Sequence, residues 1–195
     1  MIENNIANVD YVQGMNVIAG MFLYVMPEPD AFECYCSLVL EHLPLYYSNN
    51  MKGVYRGVDL LTLCLKELDP ELHDYLLRHN YQPQFLMHTI VSLGAATPPL
   101  SEALFIWDYL FAFGLHLAPL VPIAQLVNMR ESLLKNPSPC ACFRSLPPLD
   151  AKPIESILSL FAKELSGTLW DLLVRHPYDV NWKIESTPVI SKRRQ

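Results

Sequence analysis

Apolar residues recur along most of this chain with the period of an α-helix. Val58, Leu61, Leu65 and Leu68 fall at i, i+3, i+7 and i+10. Ile154, Ile157, Leu158, Phe161 and Leu165 repeat the pattern with a polar opposite face. Asp69 followed by Pro70 reads as a helix start, with Asp at the N-cap and Pro at the first helical position. Leu72 and Leu76 then supply that helix's inner face. No alternating stretch is long enough to predict a strand. Prolines punctuate the periodic runs at Pro27-Glu28-Pro29, Thr97-Pro98-Pro99, Pro137-Ser138-Pro139 and Pro147-Pro148. The pattern predicts an all-α domain of about eight to nine helices with no internal repeat. After Pro177 the periodicity fades, so the domain is expected to span 1–176, with 177–195 a polar, disordered tail closing on Lys192-Arg193-Arg194.

Composition narrows the function classes. At 195 residues the chain suits one domain, and with 51% hydrophobic and 17% charged residues it has the material for a core. The net charge of −6 leaves no basic excess to neutralise phosphates, which argues against nucleic-acid binding. The apolar run Val17 to Met26 is about half the length of a membrane span and follows no positively charged stretch, so neither membrane insertion nor a signal peptide is expected. Five cysteines, an odd count, predict reduced thiols and a cytoplasmic protein. Cys34-Tyr35-Cys36 and Cys140-Ala141-Cys142 have one intervening residue where structural zinc sites use two to four, so no metal is expected. The six histidines are scattered, and no serine sits in a nucleophile elbow. Asp69, Glu71 and Asp74 cluster at a helix start, where carboxylates favour the positive end of the helix dipole.

The run Asp10-Tyr11-Val12-Gln13-Gly14-Met15-Asn16 has a plain reading, in which Asp10 N-caps a helix and Gln13 closes a capping box. A second segment changes its meaning. Some ninety residues downstream stands Pro99-Leu-Ser-Glu-Ala-Leu-Phe-Ile-Trp107-Asp108-Tyr-Leu-Phe111, followed by Gly114. A Tyr-x-Gln-Gly-Met-Asn run, then a proline-led helix bearing Ile-Trp-Asp-x-x-Phe, resembles the TBC family, modules that bind Rab-like small GTPases and speed GTP hydrolysis. The resemblance covers roughly Asp10 to His176. Within the family, the segments Phe22–Pro27, Asp108–Gly114, Ala124–Arg130 and Leu146–Lys152 are similar to the branch that restrains mitotic exit and septation in yeasts.

What the resemblance implies is specific. GTP hydrolysis needs a water aligned with the γ-phosphate, and a carboxamide orients it by donating and accepting at once. TBC proteins supply that glutamine in trans, and Gln13 occupies its position. Gly14 would permit the close backbone approach, while Tyr11, Met15 and Asn16 would support the loop. GTP and magnesium would belong to the partner GTPase, because the chain has no Gly-x-x-x-x-Gly-Lys phosphate loop and no cofactor of its own. The branch likeness implies a Ras-like GTPase, a regulatory partner subunit and a spindle-pole location.

Two departures accompany the likeness. The family's arginine finger lies well upstream of the glutamine, but none of the twelve residues before Gln13 is arginine and the first arginine is Arg56. Such fingers are worth about 10³–10⁵ in rate. Phe105 stands where the family carries arginine two residues before the tryptophan, and is expected to fill apolar space. Trp107 is expected in the core, on a stripe with Leu100, Ala103, Leu104, Leu110 and Phe111, with Asp108 a structural acceptor. The resemblance thus implies the C-terminal part of a TBC domain lacking its first helices, with apolar faces left uncovered. Two functional readings stand: an activator whose arginine comes from elsewhere, or a catalytically impaired module that binds a small GTPase without activating it. A helical scaffold unrelated to GTPases is the third.

Overall fold

A computed structural model describes residues 9, 11–144 and 146–184, apart from the side chain of Arg144. Among them are ten α-helices and no strand, with one isolated bridge pairing Val9 and Ser48. The helices are α1 Met15–Val25, α2 Glu28–Ser37, α3 Lys52–Leu68, α4 Pro70–Arg78, α5 Met87–Val91, α6 Leu100–Phe113, α7 Leu120–Asn128, α8 Arg130–Lys135, α9 Ala151–Glu164 and α10 Gly167–Arg175. The all-α expectation holds. Its lower helix count reflects α5 and α8, whose five and six residues are too short to show a period.

The long α3 is the central post, packed against α4, α5, α7 and α10. Its buried residues Val58, Leu61, Cys64 and Leu65 follow the predicted stripe. α7 is enclosed on all sides, with every residue from Leu120 to Leu126 buried between α3, α5, α8 and α9. At the start of α4, Asp69 accepts from the Leu72 backbone N–H at 3.0 Å and Pro70 takes the first helical position, as the sequence predicts. Arg130 of α8 bonds the same carboxylate at 2.7 Å and also reaches Glu71, so part of the acidic cluster is a structural clamp.

The expected boundary at residue 176 falls too early. Leu45 N–H donates to the Pro177 carbonyl, and the Trp182 indole is buried with its Nε1 donating to the Leu172 carbonyl at 2.8 Å. Arg56 stacks over Trp182 and donates to the Asp179 carbonyl at 2.7 Å. This segment is fastened by one aromatic ring and by backbone carbonyls, which leave no helical period to read. Residues 185–195, including Lys192-Arg193-Arg194, lie outside the described residues.

Beneath that segment is a buried polar pair. The Tyr46 hydroxyl lies 2.8 Å from His176 Nε2, while His176 Nδ1 lies 2.5 Å from the Leu173 carbonyl. A carbonyl only accepts, so Nδ1 carries the proton and Nε2 accepts from Tyr46. Burial pushes the imidazole down to about 3, with Arg56 and His116 adding to the shift. The unfolded chain, titrating near 6.5, therefore binds a proton that the folded chain refuses between pH 6.5 and 3. The contribution of this neutral imidazole to stability is fully present above pH 6.5 and is lost as pH falls towards 3, by at most about 1.4 kcal/mol per unit. Urea midpoints measured from pH 7 to 5 should show this decline, and His176→Gln should flatten it. A wild-type midpoint constant over that range would contradict the assignment.

Apolar side chains also remain on the outside. Leu23, Tyr24 and Val25 of α1 and Phe32 of α2 are exposed, as are Phe105, Phe111 and Phe113 of α6. Phe105 fills no internal space, contrary to expectation, because α6 turns that face outward. Tyr11, Met15, Ala19 and Leu23 form one wall, and Ala31, Phe32 and Tyr35 the other, of an apolar hollow of about 580 Å³ between α1 and α2. Apolar surface beyond a few hundred Å² marks an association site. The isolated chain should therefore self-associate with rising concentration in sedimentation, and a monodisperse monomer at high concentration would refute this.

Candidate functional site

The residues around Gln13 form a turn that feeds α1. Gly14 is the N-cap of that helix, with φ +111°, a conformation that only glycine adopts without strain. A Cβ there would also meet Val91 Cγ1 at 3.4 Å. Glycine is thus demanded by this chain's own backbone, beyond any approach by a partner. The Gly14 carbonyl accepts from Val17 and Ile18, which starts the helix. Met15 is buried and its sulfur accepts from the Val12 N–H at 3.2 Å, anchoring the turn from below. The Tyr11 hydroxyl reaches Asn16 Oδ1 at 3.5 Å, a long contact between two exposed side chains.

Gln13 is exposed and precedes the helix, so it closes no capping box at the start of α1. Asp10, the other half of that expected box, lies outside the described residues. What a carboxamide in this position retains is its capacity to donate and accept toward an arriving group.

Gln13 opens onto a groove of about 1140 Å³. Its walls come from three distant stretches: residues 11–17, residues 48–51, and residues 84–96 around α5. Two anchors hold the α5 wall. The buried Tyr47 hydroxyl donates to the Val91 carbonyl at 2.9 Å, and the Trp107 indole donates to the Leu93 carbonyl at 3.0 Å. Leu93 and Gly94 both have positive φ, 53° and 82°, so the indole pins a left-handed turn. Trp107 also packs edge-on against Phe22 of α1 at 5.4 Å, tying both walls to α6.

The tryptophan is in the core, as expected, but the residues buried with it on α6 are Ala103, Ile106 and Leu110; Leu100 and Phe111 are 40% and 49% exposed, although the Phe111 ring still meets the indole edge-on at 5.7 Å. Asp108 is exposed and accepts no hydrogen bond among the described residues, contrary to the structural role expected of it. Ser48, Asn49, Gln84 and His88 belong to no sequence motif and converge on the groove only through packing.

No arginine enters this groove among the described side chains. Arg56 holds the 176–180 carbonyls, Arg78 lies over Tyr75, Arg130 bonds Asp69 and Glu71, and Arg175 bonds Asp171 and Asp179. No lysine among the described residues lines it either. Among the described residues no cluster of three metal-ligating side chains forms, and Cys34, Cys36, Cys64, Cys140 and Cys142 are free thiols. No helix among them is long and apolar enough to cross a membrane.

With this all-helical fold, its glutamine turn and its tryptophan-anchored wall described, the sequence matches the family described as the Rab-GTPase-TBC domain over residues 1–134. The chain belongs to that family. Among relatives of this TBC chain, the putative mitotic check point protein BUB2 of Dictyostelium discoideum is 46% identical over 167 residues, covering 86% of this chain and 46% of that protein. Cell division control protein 16 of Schizosaccharomyces pombe is 46% identical over 171 residues, 87% of this chain and 57% of that protein. Mitotic check point protein BUB2 of Saccharomyces cerevisiae is 34% identical over 171 residues, 87% of this chain and 56% of that protein. The TBC chain spans about half the length of the curated relatives it matches. These names agree with the checkpoint branch of the family that the segments around Phe22 and Asp108 resemble.

Proposed function

We propose that this chain binds a small GTPase of the Rab or Ras class and stimulates its GTP hydrolysis by supplying Gln13 in trans. The observation that carries this reading is the placement of Gln13: exposed, on a backbone turn that requires glycine next to it, at the mouth of a groove large enough for a protein segment. A carboxamide held there can accept a proton of the attacking water while donating toward the γ-phosphate. The chain would act as a regulator of another protein's catalysis, with GTP and magnesium held by the GTPase. Tyr11, Gly14, Met15 and Asn16 would fix the loop, the last of them only loosely.

The positive charge that phosphoryl transfer draws on would come from outside the groove as described, since among the described residues its lining has no cation. That favours an arginine from further sequence or from a partner subunit. The names of the relatives point toward cell-cycle control, and with it a cytoplasmic or spindle-pole setting. The second reading, binding without activation, is supported by the same lack of a cation. Single-turnover GTP hydrolysis on a panel of purified Rab- and Ras-class GTPases tests both. Stimulation that needs Gln13 supports the activator; tight binding with no stimulation, even in a chain extended upstream to carry an arginine, supports the binding module.

A further inference from the structure

Serine or threonine precedes proline at Thr97-Pro98, Ser138-Pro139 and Thr187-Pro188. The fold separates these pairs. Thr97 is only 4% exposed, and Thr187 lies outside the described residues. Ser138 is exposed, on the short connection from α8 to a 3-10 turn at Pro139–Arg144. Its backbone N–H donates to Asn136 Oδ1 at 2.8 Å, and its carbonyl accepts from the Ala141 N–H at 3.2 Å. Its hydroxyl engages no partner among the described residues. Ser138 lines a hollow of about 290 Å³ that is also lined by Arg78, the last residue of α4, and by His79 and Asn80. The Arg78 guanidinium is exposed, lies over the Tyr75 ring at 5.9 Å and pairs with no carboxylate among the described residues. The connection is already tied to this end of α4: the Tyr75 hydroxyl donates to the Asn136 carbonyl at 2.9 Å, and the Cys140 thiol faces the His79 carbonyl at 3.4 Å.

We propose that Ser138 is a phosphorylation site for a proline-directed protein kinase and that Arg78 receives the phosphate. In the transfer, Ser138 Oγ attacks the γ-phosphorus of ATP and the bond to the β-phosphate oxygen breaks. ADP leaves, and the hydroxyl proton passes to the kinase's base. Proline fixes its own φ and biases the residue before it toward extended backbone, the form in which a kinase takes its substrate. Pro139 is buried, so the segment must lift from the end of α4 to be read. Little holds it down: one amide contact to Asn136, one 3-10 bond and the long thiol contact. Loops opened at so few contacts cost little free energy. The attached phosphate carries a charge of about −1.5 to −2 and strong acceptor oxygens. The carbonyl end of α4 disfavours an anion. Arg78 reverses that balance with a guanidinium whose paired N–H groups match phosphate oxygens, and the Asn80 carboxamide in the same lining has further donors. No carboxylate opposes them among the described lining residues. Phosphorylation thus pins the connection around Ser138 to the end of α4.

The test incubates the folded full chain with ATP, magnesium and purified cyclin-dependent and mitogen-activated protein kinases, and maps the product by fragmentation mass spectrometry. Ser138 should take up phosphate and the buried Thr97 none. Ser138→Ala, at an exposed position, should keep the wild-type melting temperature and lose that label. No label at Ser138 in the folded chain overturns the proposal. A label on a free peptide of the same sequence, with none on the folded chain, overturns it too, because the turn then does not lift. For the receiver, the phosphorylated protein should melt about 1–4 °C higher than the unmodified one at low salt, and lose most of that gain at about 0.5 M salt. Arg78→Gln should barely move the melting temperature of the unmodified chain, yet abolish the gain on phosphorylation or turn it into a loss. In ³¹P NMR the phosphoserine should titrate at lower pH in the wild type than in Arg78→Gln, because a nearby cation favours the dianion. Equal titrations and equal melting shifts in the two proteins would remove Arg78 as the receiver.

Discussion

Gln13→Ala is expected to cut stimulated GTP hydrolysis by about 10²–10³-fold, the scale for deleting one preorganised group that acts on the transition state. The melting temperature should not move. Gln13 is exposed, precedes α1, and contributes nothing to a cap whose backbone work is done by Gly14. Its benefit would arise only once the water is aligned, so affinity for the GTP-analogue form should fall far less than the rate. The measurement needs a chain extended upstream with an arginine, or a partner subunit that brings one, because none of the four described arginine side chains reaches the groove. Single-turnover rates at saturating protein isolate the chemical step. An unchanged rate would remove Gln13 from the mechanism and leave binding as the function. A melting temperature lowered by a cap's worth, about 0.5–2 kcal/mol, with hydrolysis spared, would restore the plain capping reading.

How far the sequence disclosed this arrangement can be seen residue by residue. The stripes on α3 and α9 were legible because a helix buried on one face repeats its apolar residues every three to four positions. Asp69-Pro70 was legible because a cap is a local event, settled within four residues. On α6 the period located the helix but not the width of its buried face: Ile106 went inside and Leu100 and Phe111 stayed half outside. That width depends on which neighbours arrive, here Phe22 from α1 and α9 from the other side. The packed segment after residue 176 gave no signal, because a single tryptophan and a stacked arginine have no period.

The candidate site divides along the same line. Its catalytic wall carries a contiguous motif and was read from Tyr11 to Asn16. The opposite wall is made of common polar residues at 48–49 and 84–88, whose proximity exists only after α3 and α5 have packed. Gly14 sits between these cases. Its presence in the motif was evident, but that its own φ of +111° requires it is visible only in three dimensions.

Trp107→Ala should cost about 3–5 kcal/mol, the usual penalty for deleting a buried large aromatic. The residue is 4% exposed, and its ring packs against both Phe22 and Phe111. Truncation would also strip the Leu93 carbonyl of the indole N–H that meets it at 3.0 Å, at a residue already in the left-handed region. An unpaired buried acceptor adds about 1–3 kcal/mol when nothing replaces the donor. Against a total of about 5–15 kcal/mol for a typical domain, the loss is large. For a chain of this size it corresponds to a melting temperature about 10 °C lower, or more. Trp107→Phe separates the two contributions, since it keeps most of the ring and deletes only the N–H; it should cost less than alanine but still destabilise. The same variant probes the groove, because the Leu93 turn follows directly on Val91, which lines it together with Gln13 and Gly14. Trp107→Phe should therefore weaken GTPase binding at a temperature where it remains folded, although it touches no partner. If both variants melt with the wild type, Trp107 does not hold the α5 wall, and the link from α6 through Leu93 to Gln13 is wrong.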